Sequence, residues 1–335
     1  MTTEDSLIVG RDGRAGRILL NRPKALNALD LPMVRALTAT LLAWRDDPHV
    51  QVVVIEGAGD RAFCAGGDIL SLRENAMAGR HEAVEAFFSE EYELNKLIAS
   101  YPKPYVALID GVCMGGGIGV SIYGPYRVAS EHAMFAMPET AIGFFPDIGG
   151  SFFLPRLPGQ VGAYLGLTGA RVRGADAVRA GFATHFVPRA RIASLSAALA
   201  EDGAGALGAF AETLPDGTLA GERAAIDRCF AGDSVPAILR RLEAEGSEWA
   251  AGALKHLRQV SPSACVWSLR ALRLGAERDL TACLAMELRM TRTITNHPDF
   301  IEGVRAMLVD KDRAPKWNPP GFDAVRVADI DRIFA

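Results

Sequence analysis

Two carboxylates, Glu139 and Asp147, lie eight positions apart in the stretch PETAIGFFPDIGG at 138–150, among aromatics and glycines. In an apolar setting two such groups have their pKa values pushed apart. One is then left as base or nucleophile, the other as proton donor or hydroxyl anchor. Spacing alone also allows two solvated surface acids. A third acid, Glu91, falls where an apolar residue is expected, on the stripe Val84, Phe87, Phe88, Glu91, Asn95 and Ile98. Burying a lone carboxylate is expensive, so Glu91 needs either a structural partner or a substrate contact.

Two glycine turns offer the complementary chemistry. Met114-Gly115-Gly116-Gly117-Ile118-Gly119 reads as a strand, a tight turn and a helix, with free backbone N–H groups in front of the turn. Cys64-Ala65-Gly66-Gly67-Asp68 follows the strand-like run 50–56. One N–H from each turn could hold a single oxygen on which negative charge develops, as ester and thioester chemistry demands; losing such a donor typically costs ~3–4 kcal/mol. Glycine-rich turns are also common where no site exists. No G-x-x-x-x-G-K-[ST] or G-x-G-x-x-G pattern supports a nucleotide reading. No G-x-S-x-G elbow is present and no histidine lies near Glu139, so a carboxylate would have to do the work of a Ser-His-Asp triad.

The elements that must position these groups follow in order. Ile18 to Leu20 reads as a strand ending at Asn21-Arg22-Pro23. Asp30 caps a helix with the stripe Val34, Leu37, Leu41 and Trp44. The run 50–55 has the continuous apolar character of a strand covered on both faces. Asp68 is better suited to capping a short helix than to catalysis. A helix over 81–100 carries Glu91, and strands are expected at 105–109, 127–129 and 134–136, with short helices at 161–167 and 175–181. The order strand, turn, helix suggests stacked β-β-α turns, without a clean repeat. Strand signals nearly vanish after Val187. The expected division is therefore a core over 1–191 and a helical region over 192–335, including helices at 266–274 and 280–296, with the polar tail DKDRAPKWNPPGF across the surface. Phe144, Phe145, Phe152 and Phe153 could be core or the wall of an acyl pocket.

At 335 residues, 49% hydrophobic and 23% charged, the chain suits an ordinary globular protein with a sizeable core, and its net charge of -4 with no basic cluster argues against nucleic acid. The first residues, MTTEDSLIVG, carry acids rather than a basic n-region, and the most apolar stretch, 105–123, is interrupted by Asp110 and glycines. The expectation is a cytosolic protein with no membrane span. Five scattered cysteines without C-x-x-C, and six histidines without H-x-x-x-H, predict neither a disulfide framework nor a metal site.

Four motifs in order, NRPKALNAL at 21–29, FCAGGDI at 63–69, DGVCMGGGIG at 110–119 and MPETAIGFFPDIGG at 137–150, resemble the crotonase, or enoyl-CoA hydratase/isomerase, superfamily. The resemblance implies an α/β fold with a ββα spiral core, acyl-CoA substrates, no cofactor beyond the CoA of the substrate, and an oxyanion hole from the N–H groups of Ala65 and Gly116. Hydratases of the family place a glutamate where this chain has Gly119, which leaves simple hydration one carboxylate short. Further stretches, among them RAGFATHFV and DFIEGVRAMLVDKDRAPKWNP, are similar to its 3-hydroxyisobutyryl-CoA hydrolases and extend the match to Pro319. That resemblance implies catalytic Glu139 and Asp147, with Glu91, Gly116, Gly67 and Asp68 on the substrate. Lys24, Ala25 and Leu26 would run along the CoA moiety, with Lys311 and Lys316 as candidates for its phosphates. Glu139 would attack the thioester carbonyl or activate water. An enoyl- or dienoyl-CoA isomerase and a non-catalytic acyl-CoA-binding protein are the alternatives. A homo-oligomer, a trimer or hexamer, is a further expectation from the superfamily.

Overall fold

In the computed structural model, which describes residues 6–334, the apolar run at 50–55 becomes the strand Val52–Gly57 (β3), with Val52 to Ile55 fully buried. Two strands precede it, Leu7–Asp12 (β1) and Ala15–Leu20 (β2), paired as an antiparallel hairpin. The remaining strands are Ala62–Cys64 (β4), Tyr105–Ile109 (β5), Val112–Met114 (β6), Tyr126–Ala129 (β7), Met134–Ala136 (β8), Val172–Arg173 (β9) and His185–Phe186 (β10). They form a six-stranded sheet in the order β1-β2-β3-β5-β7-β10 and a four-stranded sheet in the order β4-β6-β8-β9. From β2 to β10 the larger sheet is parallel. Parallel neighbours cannot be joined by a hairpin, so the chain must cross over between them. It does so by a repeated route through one strand of each sheet: β3 to β4 and then helices, β5 to β6 and the helix Gly116–Ile122, β7 to β8 and the turn Glu139–Ile142. This is the ββα spiral expected from the sequence.

The chain divides into two compact units, each assembled from three segments. The first takes the chain up to Gly67, Glu90–Phe135 and Val172–Thr218; the second takes Asp68–Ser89, Ala136–Arg171 and the chain from Leu219 on. The expected division at 191 instead falls inside the helix Arg189–Asp202. The reason is packing: Leu195 and Leu199 of that helix share a core with Val52, Val54, Val106, Leu108 and Val128 of the large sheet. Each such side chain gains about 1.5–3 kcal/mol from burial, so the helix belongs with the strands it covers. The second unit has its own core, in which Leu167 meets Phe230, Ile238, Leu242, Leu257, Cys265 and Leu269.

The local expectations match closely. Met33 N–H donates to Asp30 Oδ1 (2.9 Å) at the start of the helix Leu31–Arg45, and Ser71 N–H to Asp68 Oδ1 (3.3 Å) at the start of Ile69–Met77. The helix His81–Ala99 buries its whole expected stripe, Glu91 and Asn95 included. Of the stripe on Leu31–Arg45, only Trp44 stays partly exposed. All five cysteines are free and buried.

Candidate active site

Within the first unit, the turn after β6 opens the helix Gly116–Ile122 through Gly115, whose φ of +45° favours a residue without a Cβ. Gly117 packs so tightly on β4 that a Cβ there would lie 2.2 Å from the Cys64 carbonyl oxygen. Gly116 faces a different group: its Cβ would lie 2.5 Å from Glu91 Oε1 and 3.3 Å from the Gly67 nitrogen. The acid on the helix His81–Ala99 is thereby brought to the glycine turn, beside the second small-residue turn.

The donor assigned to Ala65 is corrected by this geometry. Ala65 N–H already donates to the Leu26 carbonyl (3.0 Å), while Leu29 N–H donates to Gly66 O (2.8 Å) and Leu29 bridges Gly67 in parallel. Among the described residues the amides of Gly67 and Gly116 donate to no protein acceptor. The pair of N–H groups at this place is therefore Gly67 and Gly116. Gly66, immediately before Gly67, has φ +114°, a conformation nearly confined to glycine.

The Leu26 carbonyl belongs to a tightly held loop. Asn27, fully buried, donates through Nδ2 to Ala58 O (3.0 Å) and Ala62 O (2.9 Å) and accepts from Arg22 N–H (3.0 Å). Leu26 and Asn27 both adopt positive φ, 52° and 57°. This folds the loop over a cleft of about 150 Å³ whose lining includes Lys24, Leu26 and Arg61. Lys24 and Ala25 are both exposed. Lys311 and Lys316, also exposed, lie in sequence beside an acidic network in which Arg305 pairs with Glu302 (2.8 Å), Asp310 (2.5 Å) and Asp312 (2.7 Å).

The other two acids are built into the second unit. Glu139 opens the 3-10 turn Glu139–Ile142, 7% exposed, and its Oε2 has no hydrogen-bond partner. Burial first, and the neighbouring Asp147 second, hold its carboxyl well above the ordinary carboxylate range. The C-terminal helices brace this turn from several sides. Thr140 Oγ1 donates to Leu167 O (3.1 Å), Ser261 N–H to Thr140 O (3.1 Å), and Trp267 Nε1 to Phe144 O (3.4 Å). Phe144 itself stacks on Phe88 and meets Phe300, so these rings are core. Gly143, at φ +66°, lies against the Asp299 backbone, where a Cβ would meet its carbonyl oxygen at 2.2 Å. Gly143→Ala is therefore expected to lower stability by about 1–3 kcal/mol or more, seen as a reduced melting temperature.

Two buried acids escaped the sequence reading. Asp299 accepts from Ser261 Oγ (2.5 Å) and from Asn318 N–H (2.7 Å), which pins the tail. Glu287, fully buried, accepts from Gly149 N–H (2.7 Å), Ser151 N–H (2.9 Å) and Ser151 Oγ–H (2.5 Å). Burial chiefly, with a contribution from Asp147, pushes its carboxyl up to about 8. The available signal was the one that singled out Glu91: an acid within an apolar stripe, here with Cys283, Met286 and Met290.

The ββα spiral and its paired glycine turns are those of a protein family. The chain belongs to the enoyl-CoA hydratase/isomerase family, whose model matches residues 15–334. It is 45% identical over 340 residues to the mitochondrial 3-hydroxyisobutyryl-CoA hydrolase of Xenopus tropicalis, covering 98% of this chain and 88% of that one. Its identity to the human protein of the same name is 42%, over 98% and 88% of the two chains. Among solved structures, a carnitinyl-CoA dehydratase from Mycobacterium thermoresistibile superposes with a TM-score of 0.95 at 40% identity, over 99% of this chain and 96% of that one. An enoyl-CoA hydratase from Rhodobacter sphaeroides gives 0.93 at 43%, over 98% and 97%. The mitochondrial names of the relatives overturn the expectation of a cytosolic protein. Among the described residues, no helix is long and apolar enough to cross a membrane.

Proposed function

We infer that the protein hydrolyses 3-hydroxyisobutyryl-CoA to 3-hydroxyisobutyrate and CoA, a reaction of valine breakdown. The observation that carries this reading is the near full-length identity of 45% to a hydrolase of that name. The chemistry of the chain supports it. The thioester oxygen accepts hydrogen bonds from Gly67 N–H and Gly116 N–H, which stabilise the oxyanion of the tetrahedral intermediate. Glu139 in its ionised form attacks the carbonyl carbon, the C–S bond breaks, and the CoA thiolate leaves and takes up a proton. Water then cleaves the resulting anhydride and restores Glu139; in the general-base variant Glu139 instead takes a proton from the attacking water. Asp147 orients the 3-hydroxyl and Glu91 holds the polar end beside Gly116. Carboxylate, amides and water suffice for this sequence, so the reading calls for no cofactor, CoA being part of the substrate. The loop Lys24-Ala25-Leu26 runs along that CoA.

A hydratase or dehydratase is the second reading, favoured by the names of the two similar proteins of known structure. Addition or loss of water across a C–C double bond needs groups that move two protons. The helix position where family hydratases carry one glutamate is here Gly119, buried and without a side chain. Release of free CoA thiol from 3-hydroxyisobutyryl-CoA, followed beside the double-bond absorbance of an enoyl-CoA, separates the two. Thiol release with unchanged enoyl absorbance is expected; the reverse would sink the hydrolase reading. Label found in Glu139 after a single turnover in oxygen-18 water would establish the anhydride, since the general-base route leaves the Glu139 oxygens in place.

A further inference from the structure

A 3-10 turn is closed by few and poorly aligned bonds, so Glu139–Ile142 depends on what packs against it. Two helices of the second unit do so. The helix Pro298–Val304 presses its backbone on the turn: a Cβ on Gly303 would lie 2.4 Å from Ile142 C, and one on Gly143 2.2 Å from Asp299 O. The helix Pro262–Ala276 reaches it through Ser261 N–H on Thr140 O (3.1 Å) and Trp267 Nε1 on Phe144 O (3.4 Å). These helices are joined at one carboxyl. Asp299, fully buried, accepts Ser261 Oγ–H through Oδ2 at 2.5 Å. That bond points the hydroxyl proton at the acid and leaves an Oγ lone pair for Ala264 N–H (3.0 Å), the cap of the helix. The other oxygen, Oδ1, accepts Asn318 N–H at 2.7 Å. The tail arrives there with Lys316 N–H on Glu302 Oε1 (2.8 Å) and Trp317 Nε1 on Gln259 O (2.9 Å), two positions before Ser261. Two donors converging on one buried side chain call for a group that only accepts, which a carboxylate is.

We propose that Asp299 is a positioning residue for the hydrolysis: by tying Ser261 to Asn318 it fixes the start of the helix Pro262–Ala276, and with it the Ser261–Thr140 bond that holds Glu139 toward the thioester carbonyl. The tail residues 316–318 belong to the same device, a strap on the turn that carries Glu139. The proposal rests on the role given to Glu139 above and goes beyond it, since it assigns the placement of that acid to a buried carboxyl and a tail more than 150 positions away in sequence.

The test reads kcat and KM of thiol release from 3-hydroxyisobutyryl-CoA across pH. Asp299→Asn keeps the volume and one acceptor oxygen but turns the other into an NH2 group, so only one of the two donors is met as before. Its kcat is expected to fall about 10- to 100-fold, the scale of a small misplacement of a reacting group, with KM changed less than about twofold. The acidic limb of kcat/KM is expected to move down by about half a pH unit or more. Glu139, faced by Asp147, is held high chiefly by burial, and a loosened turn admits water. A residue that merely supports the fold moves neither. Ser247→Ala is the control: it removes the cap of the helix Glu248–Gln259, where Ser247 Oγ accepts Ala250 N–H at 3.2 Å, and is expected to lower the melting temperature with kcat and the limb unchanged. An Asp299→Asn protein with kcat within about twofold of wild type, or with a reduced kcat and an unmoved limb, overturns the proposal and leaves the hydrolase reading standing. Should Asp299→Asn fail to fold, Ser261→Ala removes the hydroxyl that joins Asp299 to the helix and leaves the Ser261 N–H on Thr140. Its expected effect is about a three- to tenfold loss in kcat with the limb displaced the same way, and an unchanged kcat overturns the proposal. The hydrolase reading fails separately, if the wild-type protein releases no thiol or if Glu139→Gln still does, and this inference then goes with it.

Discussion

Glu139→Gln is expected to abolish thiol release, by at least about 10²–10⁴-fold if Glu139 is a general base and by more if it is the nucleophile, and at the same time to make the protein more stable. Both effects follow from its burial. The carboxyl titrates well above the ordinary carboxylate range because burial and then Asp147 oppose its charge. Catalysis needs the ionised form, so the acidic limb of kcat/KM is displaced upward from the ordinary carboxylate value. Stability has the opposite sign. Below the ordinary value both folded and unfolded chains are protonated at this residue and nothing is lost. As pH rises, the unfolded chain ionises first, and native stability falls until the pH passes the raised folded-state value. A glutamine has no such loss. Melting temperatures of variant and wild type should therefore converge near pH 4 and separate in favour of the variant toward pH 8. A variant that is inactive but no more stable at pH 8 would mean that Glu139 ionises without penalty in the folded protein.

The glycine turn supplies the second large effect, through a contrast between adjacent positions. In Gly116→Ala the new methyl meets the end of the Glu91 side chain at 2.5 Å and stands 3.3 Å from the Gly67 nitrogen. A side-chain carboxyl can give way, so the fold survives, but the methyl crowds the space before the two amides. The expected loss in kcat is about 10²–10³-fold, the scale of losing one oxyanion donor. In Gly117→Ala the methyl meets backbone instead, Cys64 O at 2.2 Å and Cys64 C at 3.0 Å. That carbonyl sits in β4, which pairs with β6 and has little freedom to withdraw. Gly117→Ala is expected to lose the folded state, read as low soluble yield or a collapsed melting transition, whereas Gly116→Ala melts close to wild type. Full activity in Gly116→Ala would remove the amide pair from the mechanism.

The two glycine turns also mark where the sequence stopped being informative. That β6 leads into a helix through Gly115 and Gly116 was legible from the glycine run itself. Which amide of the partner turn remains available was not, because it depends on how the loop at 26–29 registers against residues 65–67, and nothing within either stretch encodes that register. The result was Ala65 where the structure has Gly67. Glu91 was found because an acid interrupting an apolar stripe is a local pattern; Glu287 interrupts a stripe in the same way, but its purpose appears only when Gly149 and Ser151 are brought to it. The three-residue strands β4 and β6 were too short to show any periodicity, and β1 and several C-terminal helices were also missed, whereas β3, β5, β7, β8 and the helices Leu31–Arg45, His81–Ala99 and Leu280–Ile294 were read within a few residues.

By itself, then, the sequence determined the strands at 18–20, 50–55, 105–109, 127–129 and 134–136 and the helices that follow them, the caps at Asp30 and Asp68, the family and the candidate acids Glu91, Glu139 and Asp147. Each of these is written in periodicity, capping chemistry or motif over spans of a few to a few tens of residues. Tertiary structure alone decided that the helix Arg189–Asp202 packs with the strands, that Gly67 rather than Ala65 joins Gly116, and that Glu287 clamps the turn after Asp147. Those outcomes rest on hydrogen bonds and burial between segments tens to hundreds of residues apart, where the partner of a group is chosen by the packing of the chain and not by its neighbours in sequence.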